Sequence, residues 1–226
     1  MTKRVVDLFT GVGGAFRGYE DAGLDVVCAV DIDVQPDHPD HAVFIQQDAL
    51  TFLRAWIDGW YRVDADLVHA SMPCQFDAAI SKGTNKHLRH RYPNLYQPVK
   101  DLLEELGLPY VIENPKARPD VVLCGEMFGL RVQRHRRFEL GGWTAPQPKH
   151  IPHRGLTLGM RHGRLVTEEN GGYYYAVYGD GGYKGTVPQW QGAMGIDWTD
   201  KRKSIAEAIP PAYTRYIGEQ FLSNQG

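Results

Sequence analysis

Short apolar runs alternate with helix-length segments over the first half of this chain, and that alternation most constrains its fold. Residues 5–9 read as a strand, and a segment that can be helical follows a glycine-rich turn. Residues 26–30 and 42–45 are the next strands, ending at Asp31-Ile32-Asp33 and near Asp48. A helix over 50–60 leads to a strand over 66–70, which stops at a Pro73-Cys74-Gln75 turn. Residues 95–106 carry helical periodicity, with Gly107 where a cap glycine is expected, and 110–112 form a fifth strand ending at Glu113. This repetition predicts a parallel α/β sheet. The polar clusters fall at C-terminal strand ends, where open α/β sheets bind ligands.

Residues 141–186 break the pattern. They are rich in Gly, His, Pro and Tyr and carry no sustained helical period. They read as a small inserted lobe, with a strand over 173–178 and a turn at Asp180-Gly181-Gly182. Helical character returns from 201 to 221, punctuated by Pro210-Pro211. The chain thus divides into a first unit at 1–140, the lobe at 141–186 and a C-terminal segment at 187–226 that returns to the first unit.

At 226 residues, 42% hydrophobic and 23% charged, the composition is that of an ordinary globular domain. No apolar run is long enough to span a bilayer, and the N-terminus runs straight into a strand pattern, so no signal peptide and a cytoplasmic location are expected. Three cysteines without Cys-x-x-Cys spacing argue against a disulfide framework and against a zinc site. Cys28 and Cys124 lie in apolar runs and read as small core residues, so no metal is expected. Residues 1–70 hold five Lys/Arg against twelve Asp/Glu, and the remainder twenty against fifteen. An acidic half beside a basic half is compatible with a cationic small molecule on one face and a polyanion on the other.

Asp7-Leu8-Phe9-Thr10-Gly11-Val12-Gly13-Gly14 sets glycines between a strand and a helix, where the backbone can approach a ligand and the helix N-terminus favours an anion. The spacing is not Gly-x-Gly-x-x-Gly and no Gly-Lys-Ser/Thr follows, which disfavours dinucleotides and triphosphates. A methionine carboxylate is a smaller anion that fits. Asp31, at the next strand end, can accept hydrogen bonds from ribose hydroxyls. Cys74 directly follows a strand and is either a nucleophile or an inert buried thiol. Glu113 ends an otherwise apolar strand and is either an acid or a structural ion-pair partner. Arg134, Arg136 and Arg137 precede Phe138, and alternation puts Arg134 and Arg136 on one face.

Taken in order, these segments resemble the DNA (cytosine-5) methyltransferase family. Residues 7–14 match its Asp-Leu-Phe-x-Gly-x-Gly-Gly motif, Pro73-Cys74-Gln75 its nucleophile motif, and Glu113-Asn114 its Glu-Asn-Val motif, with Pro115 for Val. Arg134-x-Arg136 matches the second half of its Gln-x-Arg-x-Arg motif, and residues 206–211 resemble its C-terminal motif. The resemblance implies a Rossmann-like α/β methyltransferase fold that uses S-adenosylmethionine, with 1–140 catalytic and 141–186 a reduced target-recognition region. It implies that a cytosine is flipped out of double-stranded DNA and that Cys74 adds to C6. Glu113 then acts at N3, and Arg136, with Arg134, supports the ring. It assigns Asp7, Phe9, Gly11, Gly13, Gly14, Asp31, Asp48, Pro73 and Glu207 to the cofactor, with Asp31 on the ribose and Asp48 on the adenine amino group.

Four positions depart from the family pattern. Phe76-Asp77 follows Gln75 where one residue, an aromatic and Ser are usual. Val132 stands for the first Gln of the arginine motif. Glu207 stands for the usual Asn. The recognition region is cut to 141–186. DNA contact is expected from Gln75, from Lys82, Lys86, Arg89 and Arg91 in a basic loop over 81–91, and from Arg154, Arg161 and Arg164 in the lobe, with His150 and His153 beside them. Few base readers are evident, so a short recognition sequence or a specificity partner is expected, with a restriction endonuclease as a further candidate partner. The rival readings are the same fold acting on RNA cytosine or transferring another group, and a DNA-binding relative without turnover.

Overall fold

The computed structural model describes residues 2–73, 94–161, 163–178 and 184–224. Its centre is a seven-stranded sheet of order β3-β2-β1-β4-β5-β7-β6. The strands are β1 (Arg4–Leu8), β2 (Asp25–Asp31), β3 (Phe44–Gln46), β4 (Leu67–Ala70), β5 (Tyr110–Glu113), β6 (Val121–Leu123) and β7 (Arg136–Gly141). β1 to β5 pair in parallel, as expected from the sequence. β7 runs antiparallel to both β5 and β6, so the sheet is mixed rather than wholly parallel.

Alternation along the strands divides the core into two layers. Val5 of β1, Leu67 of β4 and Val111 of β5 pack toward α1 (Gly14–Asp21) and the C-terminal helix Pro211–Ser223. Val6, Leu8, Val68 and Ile112 pack on the other face, against α2 (Ala49–Ile57) and α3 (Tyr96–Leu106). Each helix closes one face of a sheet that would otherwise expose apolar side chains on both sides. The strand order reverses at β1 and β4, and the crevice beyond their C-terminal ends is where such sheets bind ligands.

The predicted helix over 201–221 is two helices, α5 (Arg202–Glu207) and α6 (Pro211–Ser223). Pro210 disfavours helical backbone at Ile209, and Pro211 opens α6 in its first turn, where its missing N–H costs nothing. The lobe carries two small sheets, β9 (Gly159–Arg161) with β10 (Arg164–Val166), and β8 (Leu156–Thr157) with β11 (Gly172–Tyr174). The strand expected over 173–178 is ordered as a ladder only to Tyr174. Beyond it Tyr175 and Val177 are buried with Val132, Trp190 of α4 (Val187–Met194), Ile196 and Ile205. The expected division at 187 therefore passes through a shared core. Val132, where the family pattern has Gln, is one of its buried members.

Candidate active site

The turn after β1 is built by strain placed where a ligand can come close. Phe9 has φ 60° and Gly11 φ 54°, the left-handed region that favours glycine. The Gly11 N–H donates to Asp31 Oδ2 at 2.8 Å, and the Asp33 N–H to Asp31 Oδ1 at 2.9 Å. Asp31 thus ties the end of β2 to the turn and keeps lone pairs for further donors. Gly13, with φ 83°, caps α1, and a Cβ there would lie 2.5 Å from Pro39. At Gly14 a Cβ would lie 2.2 Å from the Ile209 carbonyl oxygen, so the turn packs directly on the segment between α5 and α6.

Behind the turn sits a buried polar chain. Asp7 is fully buried, and its Oδ2 accepts from Thr10 Oγ1 at 2.7 Å. Thr10 Oγ1 is in turn 3.2 Å from His38 Nε2. Burial, helped by the charge of Asp31 and opposed by the Thr10 hydrogen bond, pushes the Asp7 carboxyl up to about 7. On the adjacent strand β4, His69, which pairs with Asp7 in the ladder, is also fully buried, with Nδ1 2.9 Å from the Tyr19 hydroxyl, and burial pulls it down to about 3. Asp7 was expected at the cofactor. It lies instead in the layer beneath, positioning the loop that faces the cavity.

One cavity of 350 Å³ opens over the ends of β1, β4 and β5. Phe9, Gly11, Asp31, Pro73, Glu113, Arg136 and Glu207 all line it. Arg136 Nη1 lies 3.4 Å from Glu113 Oε1, and Glu113 is only 6% exposed. Ile32, 63% exposed at the cavity edge, offers an apolar surface between two aspartates. Partial withdrawal from water raises the Glu207 carboxyl; Lys203 opposes this, and Asp31 and Asp33 reinforce it. The acidic rim suits a cation, and the left-handed glycine turn suits close backbone approach.

Other expected site residues fall elsewhere. Asp48 caps α2, accepting from both the Thr51 N–H and its hydroxyl at 2.9 Å, and does not line the cavity. Arg134 is not on the face of Arg136. It precedes β7 with φ 24°, so strand alternation does not reach it. Its Nη1 donates to the Val177 carbonyl at 3.0 Å and the Ala206 carbonyl at 2.7 Å, clamping the lobe to α5. Arg154 is engaged by Glu126 at 2.5 Å and lies over the Tyr173 ring, while Arg164 is exposed on β10. Arg161 ends β9. Cys74, Gln75, Lys82, Lys86, Arg89 and Arg91 lie outside the described residues, as does the 180–182 turn.

Two groupings were not read from the sequence. Lys203 and Ile32 line the cavity, and only the position of Ile32 at a strand end hinted at it. Cys124, His135, His150 and His153 bring one ligand atom each within 4.8 Å of one another. The sequence spacing gave no sign of this grouping of metal-ligand types. The ligand spacing is irregular because the four residues come from separate segments that meet only in the fold.

No protein-family model matches the chain. Over 149 residues it is 32% identical to the type II methyltransferase M.XorII of Xanthomonas oryzae pv. oryzae, matching 61% of this chain and 31% of that protein. The chain thus spans about a third of the length of that curated relative. The Dnmt2 methyltransferase of S. pombe superposes with a TM-score of 0.63 at 14% identity, covering 100% of both chains. A DNA modification methyltransferase encoded within an E. coli prophage gives 0.63 at 15%, covering 99% of each. A substituted DNMT2 of Spodoptera frugiperda gives 0.61 at 13%, covering 98% of this chain and 100% of its own. The chain shares the fold of these solved methyltransferases. Among the described residues, no helix is long and apolar enough to cross a membrane.

Proposed function

We propose that this protein transfers a methyl group from S-adenosylmethionine to C5 of cytosine in DNA. The observation that carries this reading is a single cavity with two chemistries. The glycine turn, Asp31 and the Glu113–Arg136 pair at 3.4 Å all line it. Pro73, the neighbour of Cys74, lines the same cavity. A similar protein carries the name type II methyltransferase, and a similar structure is called a DNA modification methyltransferase, which favours DNA as substrate.

S-adenosylmethionine, when bound, supplies an electrophilic methyl group beside a cationic sulfur. Asp31 would accept from its ribose hydroxyls, the glycine turn and the N-terminal end of α1 would hold its carboxylate, and Glu207 would add negative charge toward its cationic sulfur. The flipped cytosine enters beside Glu113 and Arg136. Cys74, as thiolate, adds to C6 and forms the C–S bond. Glu113 donates at N3 and Arg136 at O2, so the ring electron pair is held and C5 becomes nucleophilic. C5 would take the methyl group as the methyl–sulfur bond breaks and leaves the neutral thioether S-adenosylhomocysteine; a base would then remove the C5 proton, the C6–S bond would break to return the Cys74 thiolate, and N3 would give its proton back to Glu113.

The test is incubation with methyl-labelled cofactor and either duplex DNA or RNA, followed by mass spectrometry of nucleosides. Label in 5-methylcytosine from DNA is expected, and its absence there overturns the proposal. Label in RNA alone would transfer the reading to RNA cytosine. A covalent adduct with 5-fluorocytosine duplex, lost in Cys74→Ser, is expected if Cys74 is the nucleophile; no Cys74-dependent adduct would favour a binding protein without turnover.

A further inference from the structure

We propose that Cys124, His135, His150 and His153 form a zinc site that fastens the lobe's connecting segment to the edge of the sheet. Cys124 is fully buried and directly follows β6. His135 directly precedes β7, and His150 and His153 lie on the connection from β7 to β8. Cys124 Sγ is 3.4 Å from His153 Nε2, and His135 Nε2 is 3.1 Å from His150 Nε2. With Zn–S near 2.3 Å and Zn–N near 2.0–2.1 Å, a tetrahedral ion sets such pairs about 3.5 and 3.3 Å apart.

The three rings are nearly equally spaced. Their centroids are 5.2 Å apart for His135–His150, 5.3 Å for His135–His153 and 5.0 Å for His150–His153. Three imidazoles bound through nitrogen to one tetrahedral ion would have centroids about 5.2 Å apart. Surface histidines that meet by chance have no reason to share one spacing while each brings a ring nitrogen within 4.8 Å of the same buried thiol. The widest separation among the four ligand atoms is 4.8 Å, so binding draws that pair closer.

The ligand types select the ion. One thiolate and three imidazoles form a borderline-soft set, suited to zinc and unsuited to magnesium or calcium. Four protein ligands leave no open position, so the ion is structural rather than catalytic. Binding takes Cys124 as the thiolate and releases its proton to solvent. The surroundings support the site: the Tyr174 ring packs 5.7 Å from His153, and the Tyr174 hydroxyl donates to Glu126, which also holds Arg154. Since His135 sits between Arg134 and Arg136, coordination would fix the backbone that places both arginines.

The test uses the whole chain, purified without chelator and with any tag removed. Metal analysis should find about one zinc per chain, as a closed four-ligand site requires. Cobalt(II) added to the metal-stripped protein should give the intense visible bands of a tetrahedral ion and a thiolate-to-cobalt charge-transfer band. Cys124→Ser should abolish the charge-transfer band. His150→Asn, at an exposed position that leaves the core intact, should weaken zinc binding by more than the roughly 10–100-fold that losing a ligand's hydrogen-bond partner costs. Zinc far below one per chain with no cobalt bands in the wild-type protein would overturn the proposal. So would a charge-transfer band that persists in Cys124→Ser, or affinity unchanged in His150→Asn.

Discussion

Asp7→Asn tests the buried layer under the glycine turn, because its effect on stability must change with pH. The folded carboxyl titrates at about 7, against an ordinary value of 3.8. A raised folded pKa stabilises the native state below the unfolded pKa, and that contribution is lost as pH rises toward the folded value. At about 1.4 kcal/mol per unit, the full shift makes the wild-type protein lose about 4 kcal/mol between pH 4 and pH 8. The Asn side chain does not ionise. Its carbonyl can still accept from Thr10, but its NH₂ takes the place of Asp7 Oδ1, which has no partner among the described residues. Burying those donors costs about 1–3 kcal/mol at every pH. Asp7→Asn should therefore be less stable than wild type by about that amount near pH 4, and more stable by about 1–3 kcal/mol near pH 8. His69, held down to about 3, destabilises the fold as pH falls below 6.5, but it is present in both proteins and cancels in the difference. Urea unfolding of the two proteins at several pH values between 4 and 8 measures the difference directly. A difference that stays constant across that range would refute the argument.

Glu113→Gln should lower kcat by about 10²–10⁴ while leaving KM for S-adenosylmethionine nearly unchanged, as expected of an acid acting on the base rather than on the cofactor. Steady-state kinetics separate the two, and an unchanged kcat would remove Glu113 from the mechanism. Arg134→Ala frees the Val177 and Ala206 carbonyls, so unfolding should show a loss of about 1–3 kcal/mol; kcat should fall far less than in Arg136→Ala, and equal losses would restore a catalytic role to Arg134. Gly14→Ala places a methyl group 2.2 Å from the Ile209 carbonyl oxygen, and overpacking there should cost about 1–3 kcal/mol and raise KM for the cofactor. Thermal unfolding with and without cofactor reads both effects, and a neutral variant would mean that α6 shifts without loss.

Much of the site was legible because strand ends are easy to read. Asp31 and Glu113 each close an apolar run, and in the fold each ends a parallel strand at the same edge of the sheet. Residues whose roles depend on backbone conformation or long-range contact were harder to read. Asp48 sits one residue before a helix, and capping that helix outranks a ligand contact as the use of its carboxylate. Asp7 shares a motif with Phe9 and Gly11, yet alternation turns it into the α1-side core with Val5. Cys124 looked inert because its neighbours in sequence are apolar. Its partners in space come from 11 to 29 residues away, beyond the reach of local spacing rules.

The two arginines of the motif show why topology decides the chemistry. Residues at the cavity from β1, β2, β4 and β5 follow the C-terminal ends of parallel strands. Arg136 instead begins its strand, and it reaches the same edge because β7 is antiparallel. Glu113 pairs with Phe138 in that ladder, so Arg136 lies two residues beyond the register, just past the end of β5, where it meets the carboxylate. Had β7 run parallel, its first residue would lie at the opposite edge of the sheet, out of reach of Glu113. Arg134, two residues earlier, would share the face of Arg136 if the strand continued; the positive φ at Arg134 ends the alternation and sends its guanidinium to the lobe. Strand reversal thus brings a cation to Glu113, and the break before it supplies the clamp that ties Val177 of the lobe to Ala206 of α5.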